Sequence, residues 1–339
     1  MKLKIALYTL LLLLISGFLI APNFVGAQVS SSTAITVSPV SFDLGVNPGS
    51  TETNVIKVTN TSDGELQLET KVENIVGADD QGQVTLSPEE TEFSISSWVT
   101  TTPSKFSLKA KETKTISFTI KVPSNAEPGG HYGSILVGTI ASNDPSTGSG
   151  SAIVQRVGSL ILARVAGTAK ESGLVSNFYP KNLVGDYETV TSEDNSTTYY
   201  IARQERFDQE SEKHYFNKGP VAFNLTFKNN GNVHFRPSGF VTIQNIFGKK
   251  VTELAIEPRN VFPGVERDIT VIMPQINLWG GYYRAQLVGV YGQGNQSLTA
   301  TTTFWAFPWL AAAIIAAILV FVIFARKRLI KVIRVLIKG

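Results

Sequence analysis

From residue 33 to residue 303 apolar and polar positions alternate over short runs, and Gly, Pro, Asn and Asp punctuate them. "ITVSPVSFDL" (35–44), "NVIKVTN" (54–60), "LQLETKV" (66–72), "TISFTIKVP" (115–123) and "YGSILVGTI" (132–140) carry the pattern most clearly. A period of two places one face of each run on a core, and turn residues at this spacing predict antiparallel strands stacked as sandwiches. The runs are rich in β-branched residues, which fit a pleated surface and lose rotamer freedom in a helix. No helical period is expected between the termini.

One phrase occurs twice. Gly-Gly-His-Tyr at 129–132 and Gly-Gly-Tyr-Tyr at 280–283 share a frame, offset by 151 residues. Their flanks match as well. "NVIKVTNTSDGEL" (54–66) parallels "VAFNLTFKNNGNVHF" (221–235), a strand followed by an Asn-rich turn. "SLKAKETKTISFTIKVP" (107–123) parallels "NVFPGVERDITVIMP" (260–274), a turn and then a strand that ends in proline. A repeat of this length implies two related domains. Their expected extents are 28–170 and 171–303, with "VGSLILARVAGTAK" (157–170) as the last strand of the first.

The repeated phrase itself reads as structural punctuation. A tyrosine opening the penultimate strand of an immunoglobulin-like sandwich turns its hydroxyl back onto the preceding loop. Tyr132 and Tyr283 are the expected corner residues, and Gly130 and Gly281 permit the close approach into each strand. The fold class expected is all-β, with two tandem immunoglobulin-like sandwiches and a C-terminal transmembrane helix.

The ends of the chain break the alternation. Residues 1–27 carry Lys2 and Lys4, an apolar run from Ile5 to Ile20 and the small residues "VGA". That is the layout of a secretory leader cut after Ala27, a retained first membrane helix being the alternative. Residues 304–324, "FWAFPWLAAAIIAAILVFVIF", contain no charge and as a helix would extend roughly 31 Å, the thickness of a bilayer core. Trp305 and Trp309 suit its outer interface, while Arg326, Lys327 and Arg328 open a basic tail (325–339) retained in the cytoplasm. Lys331, Arg334 and Lys338 continue that tail amid Ile330, Val332, Ile333, Val335, Leu336 and Ile337. It either lies along the inner leaflet as an interfacial helix or continues the span.

Charge sorts by region. The formal net charge of the whole chain is +3. Between leader and tail, however, 22 basic residues face all 27 acidic ones, a net of −5. No basic patch remains to neutralise phosphates, so nucleic acid is not an expected partner. The chain has no cysteine, which excludes disulfides and thiolate metal sites. No cofactor is expected.

The first region also resembles a known family. "SPVSFDLGVNPGST", "FSISSWVTTTPSKFSLKAKETKTISFTIKVP", "PGGHYGSILV" and "RVGSLILARVAG" are similar to the exported N-terminal domain of the WxL-interacting proteins of monoderm bacterial surfaces. The resemblance implies two immunoglobulin-like domains, one transmembrane helix and a short basic tail. It also implies non-catalytic binding, with the first domain engaging peptidoglycan and the second a WxL-domain partner. The second region, "GPVAFNLTFKNNGNVHFRPSGFVTIQNIFGKKV", matches that family in architecture only.

Candidate chemistry is sparse. His131, His214 and His234 have no partner at metal-ligand spacing. Asp79-Asp80 and Glu89-Glu90 flank a loop but lack the alternation of a calcium site, and "GSGS" (148–151) reads as a connector. No nucleophile motif or phosphate-cradling loop occurs, so no catalytic residue is expected. Residues 186–218 form a charged insertion, either disordered or a hairpin around "TTYYIARQ". The function expected is a membrane-anchored cell-surface binding protein. Its partners would be the cell-wall polymer or a secreted surface protein, with membrane lipid at the C-terminal helix and tail. The alternative is a membrane-bound assembly chaperone, which needs a basic anchor for a subunit terminus.

Overall fold

The computed structural model describes residues 34–140, 155–183, 186–192, 194–202, 212–217, 219–274, 281–307 and 309–338. The leader at 1–27, the connector at 148–151 and the first glycine of the second phrase, Gly280, lie outside the described residues.

Alternation becomes sandwich. In the first, β1 (Ile35–Ser38), β3 (Thr51–Asn60), β8 (Thr113–Lys121) and β6 (Val99–Thr102) form one sheet in that order. The facing sheet runs β2 (Ser41–Val46), β10 (Arg156–Val165), β9 (Gly129–Thr139), β4 (Leu66–Ala78) and β5 (Val84–Ser87), with β7 (Lys105–Leu108) also on β4. Ile56, Val58, Ile116, Phe118 and Ile120 meet Leu68, Ile135, Val137 and Ile161 between the sheets, all fully buried. Each such side chain contributes about 1.5–3 kcal/mol relative to exposure. Without disulfides, this burial is what holds the domain together.

The second sandwich repeats the plan. Its three-stranded sheet is β11 (Gly173–Asn182), β15 (Val221–Asn229) and β18 (Glu266–Met273). Its five-stranded sheet is β14 (Tyr215–Phe216), β20 (Gln296–Ala306), β19 (Gly281–Tyr291), β16 (Ser238–Asn245) and β17 (Lys250–Ala255). The order β2-β10-β9-β4-β5 thus maps onto β14-β20-β19-β16-β17. Even the parallel edge is shared: β2 runs parallel to β10, and β14 runs parallel to β20.

The Asn-rich turns show why the repeat was kept. Asn60, fully buried, donates to the carbonyls of Gly64 (2.7 Å) and Leu108 (3.2 Å), and its Oδ1 accepts from Ser62 N–H (2.9 Å). Asn229, also fully buried, donates to Val233 and Val261 (both 2.9 Å) and accepts from Gly231 N–H (2.8 Å). One amide closes its own turn and fastens the loop before the next strand, twice over.

One boundary differs from expectation. Phe304 and Ala306 are core residues of β20, so the helix starts later than 304, at Trp309. An apolar core strand leads straight into an apolar helix, and hydrophobicity alone does not divide them. The helix, α1 (Trp309–Lys338), continues through the tail without a break, the second of the two forms considered. In the insertion, β12 (Tyr187–Thr191) pairs with β13 (Thr198–Ala202) as a hairpin, and Tyr187 packs edge-on to Tyr200 at 5.9 Å. Among the described residues no helix is long and apolar enough to cross a membrane.

Candidate functional site

The first Gly-Gly-His-Tyr phrase builds the junction between the sandwiches. Gly129 adopts φ +137°, a conformation that favours glycine, and turns the chain into β9. Gly130 has no room for a side chain, because a Cβ there would lie 1.7 Å from the Tyr132 hydroxyl. The Tyr132 ring therefore folds back over bare backbone and is almost wholly buried. Its hydroxyl does not return to its own preceding loop, as the corner reading required. It accepts the backbone N–H of His234, in the other sandwich, at 2.7 Å. The ring also packs edge-on to His234 and to Phe262, with centroids at 5.4 and 5.1 Å. Burial pushes the Tyr132 hydroxyl pKa well up, so it stays protonated.

Around it the contacts multiply. Gly130 N–H donates to the Asn232 carbonyl (2.8 Å), and the Asn232 amide donates to the Pro128 carbonyl (3.0 Å). Arg164 pairs with Glu171 at 2.9 Å and also donates to the His234 carbonyl (3.2 Å). Asp43 lies 3.4 Å from His234 Nε2 and 3.6 Å from Arg236. Ile75, Tyr132, Leu162 and Phe262 form a small apolar cluster of their own within the junction. A polar cleft of about 750 Å³ opens beside it, walled by Asn47, Arg164, Lys170, Glu171, Gln293 and Gln296. Arg164 is already committed to Glu171, so it does not offer the basic anchor that a subunit chaperone needs.

In the second phrase, Gly281 opens β19 at φ +156°. Tyr283 is buried in its own core and stacks on Phe304, centroids 5.3 Å apart. The two tyrosines thus occupy related positions but face different neighbours. Of the histidines, His131 lies buried near the carbonyls of Ser94 and Glu127, and His214 reaches the Thr303 carbonyl at 2.7 Å. That carbonyl, then Glu212, raises the His214 pKa. The acidic pairs make turns: Asp79 accepts from Gln83 N–H, and Glu90 accepts from Ser96. Among the described residues they do not converge on one point. Trp305 and Trp309 are exposed, as is Arg326, whereas the side chains of Lys327 and Arg328 lie outside the described ones.

Sequence reading missed the junction residues Asp43, Arg164, Asn232 and His234. The only signal was indirect: His234 follows the Asn turn that the repeat had already marked.

Two predictions arise here. Tyr132→Phe leaves the buried His234 N–H without an acceptor and costs about 1–3 kcal/mol. Chemical denaturation checks it, and a loss near zero would mean the bond contributes nothing net. The second concerns pH. Asp43 is held below the ordinary carboxylate range, first by its hydrogen bond with His234. At Glu171 burial acts upward, but Gln293 N–H and then Arg164 overcome it, and the pKa falls. Depressed carboxylate pKa values stabilise the fold above the unfolded-state values, and that stability is lost as pH falls through the folded values. The junction should loosen below about pH 4. Small-angle scattering should show the radius of gyration rising between neutral and acid pH, and a constant radius would contradict it.

Comparison with known proteins now adds to the geometry. Residues 22–138 match the family model described as WxL Interacting Protein, peptidoglycan binding domain. The first domain belongs to the WxL-interacting protein family. The match runs from before β1 almost to the end of β9, so it includes the Gly-Gly-His-Tyr phrase and Asn60 but ends before β10. No curated protein matches the chain. Among solved structures, the class 5 fimbriae chaperone CfaA matches at 13% identity, over 79% of this chain and 98% of that one, with a TM-score of 0.35. The YadV chaperone matches at 10% over 80% and 100%, with a TM-score of 0.33. The E. coli chaperone DraB matches at 13% over 81% and 96%, with a TM-score of 0.32. At these scores the likeness says nothing of function.

Proposed function

We propose that this WxL-interacting family member is a non-catalytic, membrane-anchored surface protein whose first sandwich binds peptidoglycan. The observation that carries the reading is the match of residues 22–138 to a peptidoglycan-binding domain. The second sandwich stands between that domain and the helix, and the WxL-domain partner that the family resemblance implies would be bound there. Strand β17 closes the five-stranded sheet as an edge of the kind that strand addition uses.

Anchoring through α1 is supported by its surface. Ile314, Ile315, Ile318, Leu319, Val320 and Phe321 are each at least half exposed, around the whole circumference. A helix that is apolar on every side and unpacked by protein needs an apolar solvent. Arg326 and the cations after it would remain on the cytoplasmic side.

Calorimetric titration of the detergent-held full chain with soluble peptidoglycan strands tests the wall-binding reading. Saturable heat is expected. Absence of binding at millimolar strand concentration would refute it.

A further inference from the structure

Several exposed or half-exposed aromatic residues of the second sandwich gather at one end of one sheet, while Phe240 lies exposed towards its other end. Tyr215 of β14 is paired with Trp305 of β20, and Trp305 with Tyr282 of β19. Trp305 and Tyr282 pack edge-on at 5.4 Å. In the next strand, Asn245 is level with Tyr283, so the residue after it, Ile246, falls opposite Tyr282. A single row therefore crosses three strands and reaches the turn after a fourth: Tyr215, Trp305, Tyr282, Ile246. The core-facing neighbours of this row, Phe216, Phe304 and Tyr283, are buried, and the row itself points away from the core.

The row ends in a protruding turn. Between β16 and β17 the chain reads Ile246-Phe247-Gly248-Lys249, and Phe247 is 90% exposed, Ile246 66%. This exposure is fixed by the backbone. Asn245 Oδ1 accepts from the N–H groups of both Phe247 and Lys249 at 3.0 Å, and Gly248 takes φ +75° to close the turn. Among the described residues nothing packs over this phenylalanine.

Register gives its level. Asn245 aligns through Tyr283 with Phe304, so Phe247, two residues further, lies at about the level of Ala306. Helix α1 begins three residues beyond, at Trp309. The turn and the aromatic row thus lie at the height where the chain leaves the sandwich for the helix.

We propose that this end of the second sandwich is a membrane-contacting surface. The Ile246-Phe247 turn dips into the outer interface of the bilayer, and Tyr215, Trp305 and Tyr282 line the headgroup level beside it. The inference rests on the reading of α1 as the membrane anchor. Aromatic rings favour that interface, and Lys249 at the base of the turn is placed to meet lipid phosphates. With the helix at one point and the turn at another, the sandwich is held at a fixed tilt instead of swinging on the short 307–309 connection.

The absence of native cysteine makes the test direct. Ile246→Cys, Ile318→Cys and Val40→Cys variants of the full chain each carry a polarity-sensitive fluorophore and are reconstituted into vesicles with spin-labelled lipids. Expected are deep quenching at position 318, shallow quenching with blue-shifted emission at 246, and water-like emission at 40. Phe247→Glu in the Ile246→Cys background should return the emission to that of water. Water-like emission at 246 with 318 quenched overturns the surface and leaves the anchor standing. Water-like emission at both positions overturns the anchor, and the surface with it. Blue-shifted emission at 246 that no lipid quencher reaches means that protein covers the turn, and likewise overturns the proposal.

Discussion

Gly130→Ala lowers the stability of the protein by about 3 kcal/mol and uncouples the two sandwiches. The added methyl would sit 1.7 Å from the Tyr132 hydroxyl, so the ring must leave its place. Backbone strain is not the cause, because it is Gly129 that carries the positive φ. When the ring moves, the His234 N–H loses its acceptor and the contact with Phe262 opens. The loss should therefore exceed that of Tyr132→Phe, which removes only the hydroxyl. Urea denaturation gives the energy, and limited proteolysis of the segment joining the sandwiches gives the uncoupling. Equal losses for the two variants would mean that the ring does not need bare backbone at residue 130.

Asn229→Ala costs about 2–4 kcal/mol, more than removing any single surface ion pair. One side chain satisfies the Val233 carbonyl and the Gly231 N–H within its own turn and the Val261 carbonyl in the loop before β18. Alanine removes all three bonds and leaves the Val261 carbonyl only the longer bond from Phe235 N–H, at 3.3 Å. Asn60→Ala makes the equivalent loss in the first sandwich, where the bonds to the Gly64 and Leu108 carbonyls and from Ser62 N–H disappear. Asn→Asp at either position should be nearly as harmful, since a carboxylate cannot donate to the carbonyls. Thermal denaturation checks both, and a change under half a kilocalorie at Asn229 would mean that water replaces the amide without cost.

These effects show what the sequence made legible. Strands and duplication could be read because strand period and turn chemistry are local: "VTNTSDG" and "FKNNGNV" declare the same Asn-closed turn. The parallel edges could not. Phe216 is one apolar residue in a charged insertion, and its pairing beside β20 depends on a long connection. The partner of Tyr132 was hidden for a related reason. Alternation showed that the tyrosine points inward, but not that the inside it meets belongs to the other sandwich. Asp43, Arg164 and His234 lie far apart in sequence and converge only once both sandwiches have formed. The start of α1 was misplaced because Phe304 and Ala306, core residues of a strand, extend the apolar run of the helix without a gap.

The central claim is that the first sandwich ties the chain to the wall. Co-sedimentation with purified peptidoglycan sacculi tests it most directly, comparing the full chain with a form lacking residues 35–165. The account predicts that the full chain pellets with the sacculi, that soluble peptidoglycan strands release it, and that the shortened form stays in solution. Equal pelleting of both forms, or none by the full chain, would contradict it.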